Sequence, residues 1–185
     1  MFDSQPSSFT VLDFWVWVGS DILNNAFRGK VTEFIVGQAV GAWTDTPVRV
    51  EWDAVDIRTP EGITIEVKSA AYIQSWRQSQ PSAISFGVAK TIPWNPETGE
   101  YGNIRVRSAD VYVFSVLSHR DYRTINPLEL TQWEFYVVPT RTLDEVLGDQ
   151  KTVRLSRLRD LGAAPVGFRQ LRTAILEAYG ERERN

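Results

Sequence analysis

The sequence predicts a mixed α/β domain, and three observations carry that prediction. Apolar residues recur at helical spacing in the N-terminal region, alternate with period two from residue 48, and return to helical spacing near the C-terminus. With 185 residues, 43% of them hydrophobic and 23% charged, one globular domain spanning residues 1–185 is expected, large enough to bury a core.

Taken in order, Thr10 and Asp13 have the spacing of a capping box that opens a helix over 11–24, which Asn24-Asn25 breaks. A second helix runs over 27–41, with Val31, Phe34, Ile35 and Gln38-Ala39 at helical spacing and Gly41 as its stop. Residues 48–59 and 63–70 read as strands around the turn Thr59-Pro60-Glu61-Gly62. A short strand is expected over 84–89, with an irregular loop over 91–103 where Pro93, Pro96, Gly99 and Gly102 fall. Two apolar strands follow at 110–117 and 132–139. A helix at 141–147, a turn at Gly148-Asp149, a strand near 152–155 and a helix over 168–179 complete the chain.

Composition excludes several kinds of chemistry. There are no cysteines and one histidine, His119, so disulfides, thiolate nucleophiles and His/Cys zinc sites are ruled out. His119 follows a strand in Ser118-His119-Arg120-Asp121, and without a Gly-x-Ser-x-Gly elbow it reads as an ordinary loop residue. No Walker loop or dinucleotide fingerprint is present. No apolar stretch approaches the ~18 residues that span a membrane, and no leader pattern opens the chain, so a cytoplasmic protein away from membranes is expected. Seven tryptophans read by default as core and ridge residues. The net charge of −3 rules out a bulk polyelectrolyte binder. Acidity is concentrated early: residues 1–66 hold 4 basic and 10 acidic side chains, the remainder 16 and 13.

The informative stretch is the hairpin from Trp52 to Lys68. Glu66 and Lys68 are two apart on a strand and share one face, while Ile65 and Val67 take the other. A three-residue loop of Pro60, Glu61 and Gly62 pairs Thr59 with Ile63 and so brings Asp56 opposite Glu66. Asp53 then faces away; a two-residue loop would reverse that assignment. Two adjacent carboxylates repel unless a cation lies between them, and oxygen ligands suit Mg²⁺ or Mn²⁺. Lys68 beside such an ion would orient or deprotonate a water, or stabilise charge on a phosphate. The plain alternative is a solvated hairpin face with a Glu–Lys pair.

Asp56, nine intervening residues and then Glu66-Val67-Lys68 resemble the PD-(D/E)xK nuclease superfamily. Glu33 in Arg28-Gly29-Lys30-Val31-Thr32-Glu33 matches the glutamate that members often carry on a preceding helix, and Ser69-Ala70-Ala71-Tyr72-Ile73-Gln74-Ser75-Trp76 resembles the segment after the lysine. The motifs cover residues 27–76. The resemblance implies a restriction-endonuclease-like core, a central mixed β-sheet flanked by helices. It implies Mg²⁺ or Mn²⁺ held by Asp56, Glu66, the Val67 carbonyl and Glu33, with Lys68 positioning the attacking water. The implied activity is hydrolysis of DNA phosphodiesters, in restriction, phage defence or repair. Gln74 would touch the phosphate backbone or the lysine. Independently, Gly29 and Gly37 on the second helix would let it approach the sheet closely enough for Glu33 to reach the hairpin. Where the superfamily core has a crossover helix, residues 70–109 show only a weak helical signal at 70–78.

Lys90, Arg105 and Arg107, with Trp94 between them, are candidate DNA-backbone contacts, against the plain reading of a solvated loop. Lys151, Arg154, Arg157 and Arg159 form a second basic group. Cutting both strands of a duplex commonly needs two sites, which makes a homodimer an expectation of the chemistry rather than of any residue. Two other classes compete: a catalytically silent nuclease-fold protein that binds nucleic acid or a protein partner, and a structural subunit docking through its Trp-rich first helix.

Overall fold

The computed structural model describes residues 9–43, 54–95 and 98–180. Helix α1 (Val11–Val18) opens with the expected capping box, in which the Asp13 amide donates to Thr10 Oγ1 at 3.1 Å and the Thr10 amide to Asp13 Oδ2 at 2.7 Å. It stops at Gly19, well short of residue 24. The reason is local: Asp21 Oδ1 accepts from the amides of Leu23 and Asn24 and draws the chain into a turn. Asn24 is therefore the cap of the next helix, α2 (Asn25–Val40), its side chain accepting from the Phe27 amide at 3.0 Å. Gly41, at φ +70°, ends α2 with the paired bonds Ala42 to Gly37 and Gly41 to Gln38, a geometry that favours glycine.

The hairpin follows. Strands β1 (Ile57–Arg58) and β2 (Thr64–Ala71) pair Ile57 with Ile65 and Arg58 with Thr64, the register of a three-residue loop. Gly62 sits at φ +87° and closes the turn by donating to Thr59. Residues 48–53 of the expected strand, and with them Asp53, lie outside the described residues, as does Pro96.

The chain continues through β3 (Ser85–Gly87), β4 (Trp94–Asn95), β5 (Glu100–Tyr101), β6 (Val111–Leu117), β7 (Trp133–Pro139), α3 (Thr140–Leu147), β8 (Thr152–Arg154), α4 (Leu155–Asp160) and α5 (Phe168–Gly180). The main sheet has the order β1-β2-β6-β7, with β2 parallel to β6 and the other pairs antiparallel. All seven residues of β6 are buried, as expected for a strand covered on both faces. One face, through Ile65, Val67, Val111, Val113 and Phe135, packs on α2 and α5. The other, through Tyr112, Phe114, Val116, Tyr136 and Val138, packs on the β3–β8 pair, α3 and α4. The protein is thus an α/β fold with a mixed four-stranded sheet flanked by helices.

Four expectations need correction. The weak helical signal at 70–78 is no helix: Ala70 and Ala71 end β2, and the parallel β2–β6 connection carries no helix among the described residues. Side chains there satisfy the backbone instead, Gln78 Oε1 accepting from the Gln74 amide and its Nε2 donating to the Tyr72 carbonyl. The loop over 91–103 contains the β4–β5 hairpin, with Trp94 packed edge-on against Tyr101. Helix α4, six residues long, is too short for helical periodicity to show. Gly37 does not bring α2 close to the sheet. It lies beneath the Trp43 indole, whose Nε1 donates to the Phe34 carbonyl, while Gly29 has no close neighbour.

Candidate functional site

The site is built along the edge of β2 just beyond its short pairing with β1. β1 begins at Ile57, and just before it the amide of Asp56 donates to the Ile65 carbonyl, the residue Ile57 already faces; among the described residues the ladder goes no further. The Asp56 carboxylate takes over: its Oδ2 accepts from the Val67 amide at 2.8 Å. The N–H and C=O of one strand residue point to the same side. The Val67 carbonyl therefore faces the same edge of β2 as the Asp56 carboxylate.

Glu66 and Lys68 occupy the other face, as their spacing requires, and are joined in an ion pair with both side chains partly exposed. Their neighbours on β6 are Tyr112 and Phe114, an aromatic floor. Burial, then Glu66, then Glu33 push the Asp56 carboxyl up to about 6, against the Val67 amide and Lys68, which lower it. The Tyr112 phenol is pushed up by burial and by Glu66, with smaller effects from Asp144 and Asp56 and an opposing one from Arg107. Glu66, Glu33 and Lys68 are thus each within electrostatic reach of Asp56, and the field there is net negative.

The donor chemistry suits a hard divalent cation, because a carboxylate held in a negative field gains from any positive charge placed beside it. Among the described residues, however, no three His, Cys, Asp or Glu side chains stand close enough to enclose an ion. Glu66 is turned to Lys68 instead. A Mg²⁺ site needs less than a full protein cage, since this ion is commonly held by one or two carboxylates and keeps several waters. Asp56, Glu66 and the Val67 carbonyl would hold it, with Glu33 on the half-buried side of α2 nearby.

The remaining candidates fall into two groups. Lys90 and Arg105 are at the surface; Lys90 pairs with Asp149 at 3.1 Å and Arg105 donates weakly to the Lys90 carbonyl. Gln74 and Arg107 are interior groups, so neither belongs to an exposed basic loop. Gln74 accepts from Arg28 and donates to the Ala71 carbonyl and to Ser82, so its amide is already engaged. Arg107 donates to the carbonyls of Val88 and Gly148 and pairs with Asp144, tying the approach to β6 to α3. In the second basic group, Lys151, Arg154, Arg157 and Arg159 are all exposed, and Arg159 also packs over the Tyr136 ring and bonds its hydroxyl at 2.7 Å. His119 bonds Thr124 in a loop.

Two residues near the site escaped the sequence. Tyr112 becomes the neighbour of Glu66 through parallel pairing across a long connection, which leaves no local signal. Arg28 was legible: with Thr32, Ile35 and Val36 it falls on the buried stripe of α2.

No protein-family model matches this chain, and no curated protein matches it. Among the described residues, no helix is long and apolar enough to cross a membrane.

Proposed function

We propose that this protein is a metal-dependent nuclease of the PD-(D/E)xK, restriction-endonuclease-like class, hydrolysing phosphodiester bonds in DNA with Mg²⁺ or Mn²⁺. The observation that supports this best is the Asp56 carboxylate, held by the Val67 amide at the edge of β2 with Glu66 and Lys68 on the adjoining positions. A bound divalent cation would stabilise charge on the phosphate and lower the pKa of a water ligand. Asp56 offers one oxygen anchored by a backbone amide, so its carboxylate is oriented before any ligand arrives. Lys68, held beside Glu66, supplies a positive charge at the place where an attacking water or a phosphate oxygen would stand.

The test is plasmid cleavage with Mg²⁺ or Mn²⁺ by the wild type and by Asp56→Ala, Glu66→Ala and Lys68→Ala. Each variant is expected to lose activity by about 100-fold or more. Equal cleavage by all four proteins would point to a contaminant and remove the site.

One observation favours a second reading. The Glu66–Lys68 pair satisfies both side chains without a metal, as in a catalytically silent nuclease-fold protein that binds nucleic acid or a protein partner. Calorimetric titration with Mn²⁺ separates the two. Heat of binding that disappears in Asp56→Ala supports the nuclease; none at millimolar metal supports the silent protein.

A further inference from the structure

Among the described residues two arginines are almost completely buried, and they differ in one respect. Arg107 has Asp144 as its counter-ion. Arg28, 4% exposed, has no carboxylate partner among the described residues. Its guanidinium donates to three neutral acceptors, the Leu23 carbonyl at 2.9 Å, Gln74 Oε1 at 3.2 Å and Asn25 Oδ1 at 2.6 Å. Its Nε is buried without any partner. A buried charge is costly unless an opposite charge accompanies it, so a lone buried guanidinium is a group waiting for an anion.

Space for that anion is present. Arg28 lines a cavity of about 400 Å³ whose polar walls include Asn25, Ser69, Gln74, Ser82 and Ser85. The cavity also lies beside the first turn of α2, a sixteen-residue helix whose N-terminal end adds a favourable partial charge. Trp76, half-exposed at the mouth, offers a flat ring of the kind that stacks on a base or sugar. Hydroxyl, amide and guanidinium donors around one small space suit a tetrahedral oxyanion.

The cavity's position says which anion. Ser69 lies two residues beyond Val67 on β2, about 7 Å along the strand. This is the order of distance between neighbouring phosphates of one nucleic-acid strand. We infer that the cavity walled by Arg28, Ser69, Gln74, Ser82 and Trp76 is a phosphate-binding subsite that takes the phosphate next to the one at Asp56. In assigning the phosphate to a nucleic-acid strand, the inference rests on the nuclease reading. The anion-binding chemistry itself does not.

The experiment is thermal unfolding of the metal-free full chain in inorganic phosphate, against sodium chloride of equal ionic strength. The comparison variant is Ala83→Glu, which places a carboxylate on the exposed rim of the cavity and leaves every Arg28 hydrogen bond intact. Phosphate at ten times its half-saturating concentration is expected to raise the wild-type Tm by about 4 °C. Ala83→Glu is expected to show no rise. A short single-stranded oligonucleotide is expected to compete with phosphate and to bind Ala83→Glu at least about tenfold more weakly. Trp76→Phe is expected to remove the fluorescence change that accompanies binding.

Identical responses to phosphate and chloride, or identical phosphate responses in wild type and Ala83→Glu, would overturn the subsite. Phosphate binding that no oligonucleotide displaces would overturn its assignment to a strand and point to a free small anion. Failure of the nuclease reading looks different: the wild type would bind phosphate and cut no plasmid in any metal.

Discussion

Opposing forces meet at Asp56. Burial and the neighbouring carboxylates raise its pKa to about 6, while the Val67 amide and Lys68 act the other way. The folded-state value lies above the ordinary carboxylate value of about 4, so the ionised side chain destabilises the metal-free fold. That cost is absent below about pH 4, grows between pH 4 and 6, and above pH 6 is complete at on the order of 3 kcal/mol. Asp56→Asn keeps an acceptor for the Val67 amide and removes the charge. Its metal-free Tm is expected to exceed that of the wild type at pH 8, with the difference vanishing near pH 4. Mn²⁺ should then raise the wild-type Tm at pH 8 and leave the variant unmoved. A variant no more stable than wild type at pH 8 would mean that Asp56 is not strained there. At this scale the spacing of Asp56, Glu66 and Lys68 was legible, because the Pro60-Glu61-Gly62 turn dictates the register. The burial of Gln74 and Arg107 was not, because it is set by which segments pack over them.

Among the elements, α2 joins the candidate catalytic edge to the core, and its two interior glycines make a paired test. A Cβ at Gly37 would overlap the Trp43 indole, whereas a Cβ at Gly29 meets nothing within 4 Å. Gly37→Ala is expected to destabilise by about 1–3 kcal/mol through overpacking. Gly29→Ala is expected to stabilise by about 0.5–1 kcal/mol through helix propensity. Urea unfolding of both measures the contrast, and equal shifts would contradict the packing of Trp43 on α2. The lengths of α1 and α2 were legible only approximately. Capping side chains settled their ends, and Asp21 cuts the first helix short by bonding its own neighbours.

At the level of the whole molecule, α1 stands apart from both layers. It contributes no buried residue, and Trp15 and Trp17 are 60% and 74% exposed. Trp15→Ser and Trp17→Ser are therefore expected to change stability by less than about 0.5 kcal/mol. A loss of 2 kcal/mol or more in either variant would place this helix against the fold. Two of the seven tryptophans are thus neither core nor ridge, contrary to the default reading. The early acidity of the chain gathers in part at the hairpin edge, where Glu33, Asp56 and Glu66 share one field.

By itself the sequence determined the α/β class, the helices and strands with clear periodicity, and the face shared by Glu66 and Lys68. These rest on short-range geometry, the 3.6- and two-residue repeats and the dihedral demands of Pro60 and Gly62. Tertiary structure alone decided three things: Tyr112 beside Glu66, Asp144 with Arg107 while Arg28 has no acid among the described residues, and the connection from β2 to β6, which among those residues carries no helix. Each depends on segments far apart in the chain, whose pairing is set by which surfaces can be buried together.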